Sequence, residues 1–293
     1  MTYEFYASRK EPVFTSFSVA PVGGALGAEI RGLDLSEPLS KTAAAEVYQA
    51  LLHYMVIFFR DQKLTPAQHL EFARVFGEPQ MGGAIPRLDE QPEVKKQEYT
   101  MAGQIGGVVN MHADDSFVQI PSKCSVLYGV KMPEAGGDTC WVNCEAAYAA
   151  LSAPMRAMLE PLKAVHDLAA TFGYADIEGG KEDFAAKSRI REHYPPVEHP
   201  VIRTHPETGR KCIFVSEMDT TRIVGLTRAE SRVILDYLLN HLRNPIFHVR
   251  LHWTNGTVAV WDNRSTQHFF VPDFQPSYRL NHRVAIRDTL QPA

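Results

Sequence analysis

A histidine and an aspartate separated by one residue, His112 and Asp114, lie inside the stretch Asn110–Phe117. If this stretch is a β-strand, both side chains point to the same face, because successive side chains alternate. An imidazole and a carboxylate that converge in this way can bind a metal ion and leave most of its coordination sphere open. Non-haem Fe(II) oxygenases use two histidines and one carboxylate on one face of an octahedron. A single pair of this kind arises often by chance in a chain with 12 histidines, so its meaning depends on further ligands.

A third candidate ligand lies near the C-terminal end of the sequence. His268 closes the stretch that begins at Trp261, and Arg279 and Arg283 follow it. An arginine guanidinium can hold a carboxylate through two parallel hydrogen bonds. A distant third metal ligand that is followed by an arginine is the arrangement that a 2-oxoglutarate-dependent enzyme needs, because the arginine can bind the distal carboxylate of the cosubstrate.

These motifs together resemble the taurine dioxygenase and phenoxyacetate dioxygenase (TauD/TfdA) family of Fe(II)- and 2-oxoglutarate-dependent dioxygenases. The similarity extends from about Phe17 to Asp288, and the motifs occur in the family's order. They are Leu26–Leu35, Val56–Arg60, Phe76-Gly77-Glu78, His112-Ala113-Asp114 with Phe117, Gly136-Gly137-Asp138-Thr139, Trp261–Arg264 with Gln267-His268, and Arg279 with His282-Arg283.

The resemblance implies a role for each residue of the candidate site. His112, Asp114 and His268 would bind Fe(2+), and O2 and 2-oxoglutarate would be the cosubstrates. Thr139 and Arg279 would bind the distal carboxylate of 2-oxoglutarate. Arg283 would reach both the cosubstrate and an anionic substrate. These implied roles make the chain an oxidoreductase that hydroxylates a C–H bond and releases succinate and CO2.

Competing interpretations remain for several of these residues. Asp115 competes with Asp114, although an offset of three from His112 turns it to the opposite face of a strand. His282 competes with His268, but its position between two arginines favours a structural role. Phe117 is equally well explained as a wall of the substrate pocket and as ordinary core.

The sequence also departs from the best-known family members. Met111 stands where many have tryptophan, and Pro79–Ile85 lacks the histidine and tyrosine of taurine-specific enzymes. We therefore expect another small organic anion as substrate, of the aryloxyalkanoate, alkyl sulfate or sulfonate type. Two other classes of protein could use the same residues, namely a cupin-like zinc hydrolase and a non-catalytic binder of small anions.

Composition places the chain among ordinary soluble proteins. It has 293 residues, 45% of them hydrophobic and 22% charged, which we interpret as a single domain over residues 1–293. A formal net charge of −4 argues against nucleic-acid binding, and no apolar run reaches transmembrane length. We find no signal peptide and expect four reduced cysteines, a cytoplasmic location and a homo-oligomer.

Many short strand patterns and few helix patterns predict a mainly β fold with flanking helices. Strand patterns include residues 108–117 around the first two ligands. By resemblance, the core is a double-stranded β-helix, or jelly roll. Two segments without clear periodicity, 81–107 and 164–198, are predicted to be irregular lids over the site.

Overall fold

The computed structural model describes residues 9–81, 86–99, 110–170 and 184–293, and only the backbone of residues 184–186. Within these ranges the chain is mostly β-sheet with helices packed on the outside, as predicted. No described helix is both long enough and apolar enough to span a bilayer. All four cysteines are buried free thiols, which confirms the prediction from the sequence.

The largest sheet contains strands from both ends of the described chain. Its members are β1 (Ser18–Pro21), β2 (Ala28–Arg31), β3 (Val56–Phe59), β4 (Arg87–Leu88), β5 (Gln91–Tyr99), β6 (Cys124–Lys131), β14 (Val258–Asp262) and β16 (Arg279–Ile286). They lie in the order β1-β2-β3-β14-β6-β16-β5-β4. Only β2 and β3 pair in parallel.

Three smaller sheets complete the described β-structure. Their strands are β7 (Thr139–Asn143), β8 (Lys163–His166), β9 (Val197–Pro200), β10 (Ile202–Thr204), β11 (Lys211–Ile213), β12 (Thr220–Ile223), β13 (His248–Leu251) and β15 (Thr266–Phe270). The orders are β13-β7-β15, β12-β8-β9 and the hairpin β10-β11. The first of these sheets faces the site, because β15 carries His268 and β7 carries Thr139.

The helices begin where the sequence places their capping residues. They are α1 (Lys41–Tyr54), α2 (Pro66–Ala73), α3 (Cys144–Ala149), α4 (Ala153–Leu159), α5 (Phe184–His193) and α6 (Arg228–Leu242), with 3-10 turns at Arg74–Phe76 and Pro245–Phe247. Thr65 and Thr227 each form a capping box: the cap hydroxyl accepts a hydrogen bond from the N3 backbone N–H, and the N3 side chain accepts one from the cap backbone N–H. Ser40 and Ser152 cap α1 and α4 with their hydroxyl groups.

The core is packed around three tryptophans that are at most 2% exposed, Trp141, Trp253 and Trp261. The ring centroids of Trp141 lie 6.4 Å from those of Trp253 and 5.7 Å from those of Trp261. Because interiors are close-packed, these rings give the neighbouring site a rigid floor. Trp261 reaches it directly, with its ring 4.8 Å from that of His268.

The strand predicted over residues 108–117 is wrong for its described part. Only an isolated bridge between His112 and His268 forms there, and the chain then turns at Asp115, whose φ is +58°. A left-handed residue cannot continue a strand. The convergence of His112 and Asp114 therefore depends on a bridge followed by a turn.

The irregular segments were also predicted too broadly. Residues 87–99 form β4 and β5, and β5 pairs with β16 along five residues. Segment 164–198 contains most of β8, then α5, and the first half of β9. The remaining parts, 82–85, 100–109 and 171–183, lie outside the described residues, and the lid function stays a prediction.

Three buried histidines lead us to expect that the fold loses stability below neutral pH. Burial lowers the pKa of His69 and of His166 to about 3, and that of His199 to about 4. In the unfolded chain they titrate near pH 6.5, so below that pH the unfolded state binds protons that the folded state excludes. Their contribution is complete above about pH 6.5 and is lost as the pH falls towards 4. The free energy of unfolding in urea should fall by about 1.4 kcal/mol per histidine and pH unit.

The exposed His193 offers a matched control for this pH dependence. Its replacement with glutamine should leave the slope unchanged, whereas His69→Gln should reduce it. Equal slopes in both variants would show that His69 does not carry the effect.

Candidate metal centre

The structure brings His112, Asp114 and His268 together, with ligand atoms that all lie within 4.8 Å of one another. Nε2 of His112 is 3.9 Å from Oδ1 of Asp114, and Nε2 of His268 is 3.7 Å from the same oxygen. The three residues are buried, with at most 9% of their surface exposed. Two imidazoles and one carboxylate that converge on a common point form a donor set that suits Fe(II).

Two elements bring these ligands together. Backbone hydrogen bonds of 3.0 and 2.8 Å join His112 to His268 in both directions, so the bridge places the imidazoles with their ring centroids 4.3 Å apart. Asp114 is held by Asn263, whose Oδ1 accepts a hydrogen bond from the Asp114 backbone N–H at 3.3 Å and from Trp261 Nε1 at 2.9 Å. The turn before β15 thus positions both the second and the third ligand.

The Asp114 carboxylate has a second oxygen that is already engaged. Arg283 forms an ion pair with Oδ2 at 2.6 Å, and the Ser125 hydroxyl donates to the same atom at 2.7 Å. Burial opposes ionisation, but the Arg283 guanidinium and the neighbouring imidazoles outweigh it and hold the pKa of Asp114 below its usual range. The carboxylate is therefore ionised, with Oδ1 directed between the histidines and available for a metal.

A small cavity beside these ligands is bounded by both sheets. Its lining residues come mainly from β5, β7, β15 and β16 and include His112, His268, Thr139, Arg279 and Arg283. The structure therefore gathers into one cavity five of the residues that the sequence predicted to form the site.

Arg279 is a buried cation in this cavity. It is 3% exposed, and its guanidinium carbon lies 4.6, 5.6 and 5.8 Å from the ring centroids of Phe270, Tyr99 and Trp253. Aromatic faces attract a cation, but they supply no hydrogen-bond acceptor, and the Nε atom has no partner in the part of the chain that the structure describes. Burial lowers the pKa of Arg279 to about 10, so it stays protonated at neutral pH. A buried cation without an anion is costly, and a carboxylate would satisfy it.

The turn before β7 brings a glycine close to the Arg279 side chain. Gly137 has a φ of +70°, which favours glycine, and a side chain added there would approach Arg279 Nε to 3.5 Å. On β7, the Thr139 hydroxyl accepts a hydrogen bond from Trp253 Nε1 at 3.0 Å and faces the same cavity. The residues therefore fit the distal carboxylate of 2-oxoglutarate, with Arg279 as the charged donor and Thr139 as a hydroxyl donor.

Other candidates from the sequence lie elsewhere. The ring of Phe117 packs edge-on against Tyr194 at 5.5 Å and is not among the residues that line the cavity. Asp115 accepts hydrogen bonds from Ser122 and from Gln80, outside the triad. His282 lies on β16, three residues after Arg279 and one before Arg283. Because side chains alternate along a strand, it points to the face opposite the two arginines.

Several residues of the site were missed from the sequence. Ser125 and Asn263 contact the ligand Asp114, while Tyr99, Phe270 and Trp253 enclose Arg279. Asn281, between the two arginines of β16, is fully buried, and both of its amide atoms lack a partner within the described ranges. Recognition of β5 as a strand would have been the signal for Tyr99, because alternation and pairing with β16 place it opposite Arg279.

Comparisons with known proteins agree with this geometry. Residues 18–285 match the family described as "Taurine catabolism dioxygenase TauD, TfdA family". The alpha-ketoglutarate-dependent sulfate ester dioxygenase of Pseudomonas putida is 35% identical over 281 residues, which cover 94% of this chain and 91% of that protein. The alkylsulfatase of Acinetobacter baylyi is 34% identical over 267 residues, which cover 90% and 82%, respectively.

A solved structure gives the same result for the fold. AAD-2 in complex with Mn(II) and N-oxalylglycine has a TM-score of 0.81 and 26% identity, over 95% of this chain and 100% of that one. The prediction of a jelly-roll core is confirmed, as is the prediction of an oxidoreductase that uses Fe(II), 2-oxoglutarate and O2. The chain belongs to the TauD/TfdA family of 2-oxoglutarate-dependent dioxygenases.

Proposed function

We propose that the protein hydroxylates a C–H bond of a small organic anion at an iron centre held by His112, Asp114 and His268. Iron(II) supplies the activation of O2, which converts 2-oxoglutarate to succinate and CO2 and inserts the second oxygen atom into the substrate. The observation that carries the proposal is the buried Arg279 in the same cavity as the ligands, whose Nε atom has no hydrogen-bond partner among the described residues. A cation in this position provides for a dicarboxylate cosubstrate.

The roles of the cavity residues follow from their contacts. Arg279 and Thr139 bind the distal carboxylate of 2-oxoglutarate, and the aromatic rings around Arg279 exclude water from this ion pair. Removal of water strengthens the electrostatic attraction between the two charges. Arg283 holds Asp114 through its Nη2 atom and bonds Ser125 through Nε and Nη2. It also lines the cavity, where it contacts the cosubstrate and the anionic substrate.

The substrate class rests on the relatives and on the sequence around the site. Two relatives act on sulfate esters, as their names state, and the segment that follows Glu78 lacks the histidine and tyrosine expected for taurine. An alkyl sulfate is therefore the leading candidate, ahead of sulfonates and aryloxyalkanoates. Hydroxylation of the carbon that bears the ester oxygen gives an unstable product, which breaks down to an aldehyde and sulfate.

The other two classes of protein explain less of the site. A zinc hydrolase would use the same three ligands and a bound water, and a non-catalytic binder would need only cations. Neither accounts for an anion site at Arg279 next to an intact triad. The expectations of a single domain, lids over the site, a homo-oligomer and a cytoplasmic location remain parts of this proposal.

The proposal is tested with matched compounds that differ in the anionic group. Hexyl sulfate, hexanesulfonate and phenoxyacetate are compared with 1-hexanol and ethoxybenzene, with Fe(II), 2-oxoglutarate and air, and succinate is measured. We expect the anions to stimulate succinate release well above the level without substrate, and the neutral compounds to fail. Equal stimulation by neutral compounds would contradict the substrate class but leave the reaction class standing.

A further inference from the structure

A row of side chains on β5 continues past the described cavity. Lys95, Gln97 and Tyr99 lie on one face of the strand, because they alternate. In the pairing with β16, Tyr99 lies opposite Arg279, and Lys95 lies opposite Arg283. Gln97 and Tyr99 line the cavity. Lys95 therefore extends the same row at the Arg283 end, which is the end nearest Asp114.

Lys95 is an unusual residue for this position. It is 3% exposed and directly faces Arg283, which is 7% exposed. Like charges opposite one another in a sheet destabilise it, and a buried ammonium group needs a partner. Burial and the charge of Arg283 lower the pKa of Lys95, while Asp115 and Asp114 act in the opposite direction. The fold thus keeps a second cation beside Arg283 at a cost in stability.

The nearby carboxylates are engaged by other groups. Asp114 is paired with Arg283 and bonded to Ser125, and its other oxygen faces the histidines. Asp115 accepts hydrogen bonds from Ser122 and Gln80. No carboxylate oxygen of the described residues lies within 4.0 Å of the Lys95 ammonium nitrogen. Lys95, like Arg279, therefore has no direct counter-ion among the described residues.

The charges of the loaded site leave one positive charge unbalanced. The two charges of Fe(II) offset those of 2-oxoglutarate, and Asp114 and Asp115 offset two of the three cations Arg279, Arg283 and Lys95. The remaining positive charge matches a substrate with a single negative charge. Lys95 thus adds a second cation beside Arg283, which is itself paired with Asp114.

We propose that the Lys95 ammonium group binds the anionic headgroup of the substrate beside Arg283, at the end of the row that Tyr99 and Gln97 begin. This inference rests on the proposed function and names the residue that would select the substrate's headgroup. That headgroup carries a single negative charge and is either a sulfate ester or a carboxylate. Arg283 orients Asp114 and lies beside the headgroup. Lys95 supplies a positive charge that no described carboxylate neutralises by direct contact.

A purely structural role for Lys95 makes the opposite prediction for stability. If the ammonium were bound to Asp115 through ordered water, Lys95→Met would remove a stabilising pair and lower the melting temperature. If the cation is held without a partner until substrate arrives, the variant removes an uncompensated charge and raises the melting temperature of the substrate-free protein. Lys95→Met keeps the length of the side chain and its apolar packing.

The experiment measures binding without turnover. The full-length protein, loaded with Fe(II) and 2-oxoglutarate under anaerobic conditions, is titrated calorimetrically with hexyl sulfate, heptanoate and 1-hexanol. The variants are Lys95→Met, Lys95→Arg and the control Lys96→Met, which changes the adjacent lysine on the opposite face of β5, paired with Glu98. We expect Lys95→Met to weaken binding of the preferred anion by about 10- to 100-fold, the value of one charge-assisted hydrogen bond. Lys95→Arg and Lys96→Met should stay within about threefold of the wild type.

Comparison of hexyl sulfate with heptanoate identifies the preferred headgroup. The affinity for 1-hexanol measures the contribution of the alkyl chain, and Lys95→Met should leave this affinity unchanged. The inference is overturned if Lys95→Met binds both anions as the wild type does, loses 1-hexanol to the same extent, or melts at a lower temperature. It is also overturned if the wild type binds neither anion. Failure of the proposed function looks different, because no compound would then stimulate succinate release by the wild-type protein.

Discussion

Replacement of His112, Asp114 or His268 with alanine is expected to abolish 2-oxoglutarate turnover. Among the described residues, one cluster could hold a metal ion, and it has three members. It contains no fourth histidine or carboxylate that could replace a lost ligand. Loss of one ligand leaves two donors, which hold a divalent ion far less tightly than a facial triad does. The measurements are an iron titration and the release of succinate, with circular dichroism to confirm the fold.

The three variants should differ in stability, which provides an internal control. Asp114→Ala leaves Arg283 buried without its carboxylate, so its melting temperature should fall. The two histidine variants remove no buried charge and should melt near the wild type. His282→Ala, on the opposite face of β16, should retain activity and iron binding. Full activity in any of the three ligand variants would remove that residue from the proposed triad.

The second large effect is expected at Arg279. Arg279→Ala should raise the Michaelis constant for 2-oxoglutarate by about 10- to 100-fold, because one lost charge-assisted pair costs about 2–3 kcal/mol. Burial of Arg279 among aromatic rings makes water a poor substitute for the missing guanidinium. The constant is measured from succinate release at saturating substrate, and iron affinity should change little.

Arg232→Ala is the matched control for this substitution. Arg232 is exposed on α6 and pairs with Asp236 one turn later. Its loss should leave the Michaelis constant for 2-oxoglutarate unchanged. If Arg279→Ala behaved in the same way, the guanidinium would be a structural cation, and the cosubstrate would have to bind elsewhere.

Local signals in the sequence indicate several of the helices, although not α5, which lies in a segment predicted to be irregular. The Thr227–Glu230 capping box depends on residues three positions apart, so it is visible in the sequence and present in the structure. The turn between β10 and β11 is a second local feature, because its residues Pro-Glu-Thr-Gly are typical of turns. Such features need no information from distant parts of the chain.

Long-range pairing explains what was missed. The segment Gln91–Tyr99 is polar and charged, so its pattern does not show a strand, yet pairing with β16 makes it one. The His112 region was predicted as a strand, but a single bridge to His268 and the turn at Asp115 shape it instead. Family resemblance identified the triad and Arg279 without these contacts. It did not identify Lys95, whose significance depends on burial opposite Arg283.

The dependence of succinate release on the metal tests the central claim most directly. The protein is freed of metal, supplied with 2-oxoglutarate and hexyl sulfate, and reconstituted with Fe(II) or Zn(II), each with and without O2. We predict one succinate for each 2-oxoglutarate consumed, only with Fe(II) and O2 together, and loss of this activity in His268→Ala. Release of sulfate with Zn(II), or in the absence of O2 and 2-oxoglutarate, would instead indicate a hydrolase and contradict the account.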